Sequence, residues 1–228
     1  MELDEKPRTG EHIGATVISV QVGAIAPLGP ESVPSGFVKS PVKGPIAVRE
    51  LGLHGDEQAD LRVHGGPEKA VYGYAASHYA AWLVEFAEHR QLLQPGAFGE
   101  NLTIDGITEQ DMCVGDVHAI GSARLQVCQP RQPCFKFALR FNDSRMPKAM
   151  VRSGRAGWYY RVLELGSLQA ADAIKLVDRP HPQLPFDRLV EIVNRRNATE
   201  AELRLLASAN GAAGWLRDAA KDALSVDC

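Results

Sequence analysis

Apolar residues recur mostly in short runs with the two-residue period of half-buried strands, and only locally with the spacing of a helix face. Residues 15–22 are rich in β-branched side chains between Gly14 and Gly23 and predict the first strand. Shorter runs at 46–51, 70–74, 98–104, 117–120, 124–129, 158–163 and 174–177, separated by Gly or Asp turns, predict the others. Many short strands with few intervening helices point to a β-barrel. Within 77–88, Tyr79, Trp82, Leu83 and Phe86 fall at i, i+3, i+4 and i+7, one face of an amphipathic helix that covers the sheet. Residues 26–45 carry five prolines and are predicted as a long loop that lines a site, with Lys39 and Lys43 on it.

The pattern changes after Arg179. Pro180, Pro182 and Pro185 mark a stiff linker, and beyond it Phe186, Leu189, Val190 and Val193 share a helix face. Thr199 with Glu202 reads as the capping box of a second helix, and Trp215, Leu216, Ala219 and Ala223 line a third. The expected organisation is therefore a flexible N-terminus (1–10), a mainly β barrel domain with helices (11–180) and a three-helix C-terminal unit (181–228) that shapes or covers the site.

Composition narrows the function class. The chain has 228 residues, 45% hydrophobic and 23% charged, with a net charge of −3 and no block of like charge, so nucleic-acid and membrane-surface binding are not expected. The C-terminal unit carries six Lys or Arg against seven Asp or Glu, which removes a DNA-reading role despite its helical outline. No apolar run approaches a membrane span and the first residues lack the features of a signal peptide; cytoplasm is the expected location. The four cysteines form no Cys-x-x-Cys pair, which argues against a zinc ribbon and for free thiols.

Candidate chemistry concentrates around one thiol. In Gln129-Pro130-Arg131-Gln132-Pro133-Cys134 the two prolines stiffen the approach, and the run 135–141 reads as a short helix with Cys134 at its N-terminus. Unpaired amides, the helix dipole, Arg131 and Lys136 there all favour thiolate over thiol. A buried structural cysteine is the competing reading of this stretch taken alone. His64-Gly65-Gly66 places an imidazole in a turn whose amides suit an anion, with Lys69 close by. Gly99-Glu100-Asn101 offers a carboxylate and an amide, a pairing that is often purely structural. Arg155, in a Gly-flanked turn, suits phosphate or carboxylate capture. Asp56, Asp60, Asp111 and Asp116 fall in turns and read as local backbone caps. Nucleotide-binding glycine loops and the Gly-x-Ser-x-Gly elbow of serine hydrolases do not occur.

Taken in order, Gly52-Leu53-x-Gly55-Asp56-x-Gln58-Ala59-Asp60, Val63-His64-Gly65-Gly66, Lys69-Ala70-Val71, Phe98-Gly99-Glu100-Asn101-Leu102, Gly115-Asp116, Gln129-Pro130-Arg131-x-Pro133-Cys134-x-Lys136 and Gly157-Trp158-Tyr159 resemble the MOSC domain family (molybdenum cofactor sulfurase C-terminal domain). Within it the chain is most similar to the stand-alone bacterial members of the YiiM type, over about residues 13–180 with a matching helical tail. The resemblance implies a β-barrel that binds molybdopterin-based molybdenum cofactor, with Cys134 as catalytic residue and molybdenum ligand. It implies His64, Gly65, Gly66, Lys69, Asn101, Arg131 and Arg155 as cofactor contacts. It also implies reduction of N-hydroxylated small molecules, such as N-hydroxylated purines, with a separate reductase as electron donor. Ala156 departs from the pattern, since many relatives carry a hydroxyl there. The alternative is a carrier that holds cofactor, or sulfur as a Cys134 persulfide, without turnover.

Overall fold

The computed structural model describes residues 12–61 and 65–226. The expected flexible N-terminus, His64 and Cys228 lie outside the described residues. In chain order the strands are β1 (His12–Val22), β2 (Ala26–Leu28), β3 (Val33–Ser35), β4 (Ser40–Pro41), β5 (Ile46–Arg49), β6 (Gly52–Leu53), β7 (Val71–Ala75), β8 (Leu102–Asp105), β9 (Val117–Ile120), β10 (Ala123–Pro130), β11 (Trp158–Glu164), β12 (Gly166–Leu168) and β13 (Ala173–Asp178). The helices are α1 (His78–Glu85), α2 (Phe135–Phe141), α3 (Arg145–Ser153), α4 (Phe186–Arg195), α5 (Glu200–Ser208) and α6 (Gly214–Val226).

Seven strands close into a barrel in the order β13-β9-β10-β11-β7-β8-β1, with β1 returning to β13; β4 adds to the edge of β1. All barrel pairings are antiparallel except β7 with β8. Closure leaves no bare edge in the ring and fixes which face of each strand is buried. Val17, Ile104, Ile120, Leu125, Trp158 and Ile174, all fully buried, belong to the larger core. A second core, built on Tyr74, Trp82, Phe98, Phe137, Phe141 and Met150, lies beneath α1, α2 and α3. It is the second core that carries α2, and with it Cys134, against β7.

Three features differ from the expectations. The loop predicted over 26–45 contains the hairpin β2–β3 and the short β4; Pro27 faces Pro34 in the hairpin, which tolerates them because a two-stranded ribbon needs few ladder donors. The strand predicted from residue 98 starts instead at Leu102, because Glu100 folds the preceding residues into a loop. Helix α3 was not predicted: Pro147 sits in its first turn, where the missing amide costs nothing, and Met146, Ala149 and Met150 make its buried face.

The three C-terminal helices do not pack only on one another. Phe186, Leu189, Val190, Leu206 and Leu216 belong to the same buried cluster as the barrel interior. The Phe186 amide donates to the Met112 carbonyl (3.0 Å) and the Ala213 amide to the Cys128 carbonyl (2.9 Å), the latter on the strand that leads to Cys134. The capping box of α5 forms as its sequence indicates, with Thr199 accepting from Glu202 and Glu202 accepting from Thr199.

Candidate active site

Strand β10 ends at Pro130 and delivers Arg131 to Cys134 at one rim of the barrel, where α2 begins. Cys134 is the N-cap of α2, extended at φ −108° and ψ 174°, and is half-buried. It opens on a cleft whose walls include Lys39, Asp56, Lys69, Tyr72, Arg131 and Lys136. The segments forming these walls are far apart in sequence and meet because backbones approach closely. A Cβ on Gly36 would lie 1.9 Å from the Glu57 carbonyl oxygen, so glycine is required where the β3 loop crosses the segment after β6.

Arg131 is buried (7% exposed), with its guanidinium between aromatic faces, 4.8 Å from the Tyr72 ring centre and 5.0 Å from that of Phe37. It also donates to the Phe98 carbonyl. Burial alone would lower its pKa, but Tyr72, Tyr159 and Cys134 more than reverse this and hold it charged. The arrangement presents a fixed positive charge next to the thiol.

Lys39 and Asp56 form an ion pair within the cleft wall, with side chains 6% and 2% exposed. Burial lowers the Lys39 pKa, and attraction to Asp56 opposes it. Asp56 also accepts from the Gly23 amide (2.8 Å) and from Asn101 Nδ2 (2.9 Å). Far from a local turn cap, it joins the start of the β2–β3 segment, the β8 approach and Lys39. Asn101 is used within the protein: its oxygen accepts from the Tyr72 amide (3.0 Å), and Nδ2 serves the Gln21 carbonyl and Asp56. Lys136 donates to the Pro34 carbonyl (2.8 Å), tying α2 to the hairpin.

Glu100 sets the loop between these residues. Fully buried, it accepts from Tyr79 Oη (2.5 Å), the Gly96 amide (2.7 Å), the Phe98 amide (3.1 Å) and Thr103 Oγ1 (2.9 Å). Its role is the structural one. The loop thus held carries both the Phe98 carbonyl that fixes Arg131 and the Asn101 amide that fixes Asp56.

Of the other expected contacts, Gly66 precedes a 3-10 turn, Pro67–Lys69, at φ 93°, and its carbonyl accepts from the Lys69 amide (3.0 Å). Gly65 packs on Leu61, where a Cβ would come within 2.6 Å. The turn brings Lys69 to the cleft; its partial burial lowers its pKa, against the attraction of Glu68. Arg155 is not brought to the thiol. It lies over the Trp82 ring at 4.0 Å, pairs with Glu85, and borders a different cleft with His78, Glu109 and Asp187. Lys69→Ala is accordingly expected to reduce retention of an anionic ligand with little change in melting temperature. Arg155→Ala should leave retention unchanged and cost about 1 kcal/mol of stability from its ring stacking and ion pair. Ligand content and thermal melts of both variants separate the two.

The residues at the cleft suit a molybdenum cofactor in type. One accessible thiol provides a soft ligand, and lysine and arginine side chains supply the charge and donors a phosphate needs. Asp56, a carboxylate on the cleft wall, is already occupied by three donors. The sequence reads Lys39 only as part of a proline-rich loop that lines a site and Asp56 only as a turn cap within the family motif; Phe37, on the same loop as Lys39, is not singled out.

The MOSC domain family profile matches residues 60–175. Protein YiiM of Escherichia coli (strain K12) is 38% identical over 196 residues, covering 86% of this chain and 88% of that protein. A protein of Gibberella moniliformis named Reductase is 37% identical over 194 residues, 84% of this chain but 34% of its own length. Among solved structures, YiiM from Geobacillus stearothermophilus superposes with a TM-score of 0.77 at 30% identity, covering 91% of this chain and 98% of that one.

Proposed function

The chain belongs to the MOSC domain family, and on that premise we propose that it binds molybdenum cofactor in the Cys134 cleft and reduces N-hydroxylated compounds, purines among them. The observation that carries this reading is a single thiol held at the mouth of a cation-lined cleft by a stiff, proline-bounded segment. The relative named Reductase, in which the matched region is a third of the chain, supports the redox class and agrees with electrons arriving from a separate module or protein.

In this function the bound cofactor supplies a redox centre able to pass two electrons. Cys134 holds the metal as thiolate. Arg131, fixed by its rings and the Phe98 carbonyl, keeps that thiolate in a positive field with no reorganisation on binding. Lys69, the more exposed cation, takes the anionic end of the cofactor. Tyr159, whose pKa burial raises, stays protonated across the physiological range.

The test is metal and pterin analysis of protein from a host that makes the cofactor, followed by an assay with an N-hydroxylated purine and a chemically reduced mediator. The reading expects stoichiometric molybdenum and pterin with substrate-dependent mediator oxidation. Metal-free protein carrying sulfur on Cys134 would support a carrier instead. Loaded protein that does not turn over would exclude reduction of this substrate class.

A further inference from the structure

A substrate whose N–OH group reaches Cys134 must have the rest of its body held by something other than the cation-lined cleft, which the reading above gives to the cofactor. The tail supplies a second surface. A groove of 460 Å³ lies between α4, α5 and α6, lined by Ile192, Leu203, Trp215, Leu216 and Ala219 and, from the Cys134 stretch, by Gln132. That is the size of a pocket for a small organic molecule. The groove adjoins the cleft at two points. Gln132 stands two residues before Cys134, a length of chain that spans at most about 7 Å. Gly214, next to Trp215, donates its amide to Glu68 (2.9 Å), the neighbour of Lys69 on the cleft wall. Trp215 itself is set as a platform. It is 40% exposed, whereas Trp82 and Trp158 are fully buried. Its indole Nε1 donates to Gln129 Oε1 (2.7 Å), and the buried Gln129 is held in turn by the Glu68 carbonyl (2.8 Å), so the ring is pinned at its polar edge while apolar surface stays open.

Resting on the reductase reading above, we propose that this groove is the substrate pocket: it takes the planar aromatic ring of the N-hydroxylated compound, stacked on Trp215, and directs the N–OH group past Gln132 towards Cys134. Every base or aryl ring has a flat face to stack, so the platform admits a set of rings rather than one. Charge narrows the set. Of the described lining residues only Arg196 is charged, and with Gln132 it offers hydrogen bonds to ring nitrogens, but there is no group of cations to hold a phosphate. The substrates that fit are therefore uncharged N-hydroxylated aromatics, free bases rather than nucleotides.

The test reads binding in cofactor-free and cofactor-loaded protein with an N-hydroxylated purine, its amino product, and hydroxyurea, which has the N–OH group and no ring. Iodide quenching of tryptophan fluorescence reports Trp215, because the other two tryptophans are fully buried. Both purines are expected to shield Trp215 from iodide, and hydroxyurea is not. By calorimetry the purine Kd should rise about tenfold or more in Trp215→Ala, and in Ala219→Phe, which fills the groove from an exposed position of α6 and keeps the Gln129 bond. Trp215→Phe retains a ring and should stay within about threefold of wild type. In loaded protein the ratio of kcat/KM for the purine to that for hydroxyurea should fall by a similar factor in Trp215→Ala and Ala219→Phe, with molybdenum content held. If Trp215→Ala does not fold, Ala219→Phe decides. Purine binding that leaves Trp215 open to iodide overturns the proposal, as does an unchanged Kd in Ala219→Phe, or no purine binding to wild type. So does shielding of Trp215 in ligand-free protein that grows with protein concentration, which would seat a second copy on the groove. Loaded wild type that binds the purine over Trp215 without reducing it removes the reductase reading alone, since the cofactor-free binding arm judges the groove without turnover.

Discussion

Cys134→Ser is expected to lower reductase activity by orders of magnitude and strip most of the molybdenum, with the melting temperature almost unchanged. A serine hydroxyl is hard and stays protonated near neutrality, so it is a poor replacement for a thiolate on molybdenum. The fold has little reason to weaken. Cys134 is the N-cap of α2 with extended φ and ψ, a position where serine is among the favoured residues. The stability change should stay within about 0.5 kcal/mol. Cys113 and Cys128 behave oppositely: both are fully buried, and their thiols bond the Pro182 carbonyl (3.7 Å) and the Glu68 carbonyl (3.1 Å). Burial pushes the Cys128 thiol up to about 12, so it stays protonated at neutral pH. Serine at either should cost about 1 kcal/mol and leave metal content intact. Metal analysis, turnover and melts of the three variants give the comparison; a Cys134→Ser protein with full molybdenum and activity would remove the thiol from the site.

Glu100→Ala is expected to have the largest effect on stability among the site variants, about 3–5 kcal/mol. Truncation leaves Tyr79 Oη, the Gly96 and Phe98 amides and Thr103 Oγ1 without their acceptor in a region closed to water. Glu100→Gln keeps the shape but turns one acceptor oxygen into a donor, and should cost less. Because the Phe98 carbonyl holds Arg131, the alanine variant should also lose cofactor at temperatures where it is still folded. Denaturant titrations of the two variants, with metal content alongside, measure both effects. A loss under 1 kcal/mol for alanine would mean the loop is shaped by its packing on Phe37 and Tyr79 instead.

The strands of the barrel were legible because β-branched runs bounded by Gly or Asp turns carry their own signal, as in β1 after Gly14 and β13 after Asp172. The Cys134 stretch was equally plain: its prolines restrict the backbone locally, and the structure keeps that segment where the sequence indicated. What the sequence hid depends on distant partners. Lys39 and Asp56 lie 17 residues apart, and nothing in either neighbourhood announces a buried ion pair. Arg131 looked like an anion contact, while its stacking on Phe37 and Tyr72 requires three segments to meet. Arg155 had a favourable local setting, flanked by glycine and alanine, yet Trp82 and Glu85 of α1 hold it elsewhere. The buried face of α3 was present in the sequence as Met146, Ala149 and Met150, but Pro147 masked it.

Glu68 ties two regions that the sequence separates by 146 residues: its carboxylate accepts from the Gly214 amide at the start of α6 (2.9 Å) and pairs with Arg161 (2.6 Å). Its carbonyl meanwhile accepts from Gln129 Nε2 (2.8 Å), whose oxygen holds the Trp215 indole (2.7 Å). The neighbouring Lys69 therefore takes its place partly from the last helix. In a chimera of two family members, the turn at Glu68, Gln129 and the first turn of α6 form one heritable block. Exchanging the tail alone would graft a foreign helix end onto the wall of the cleft.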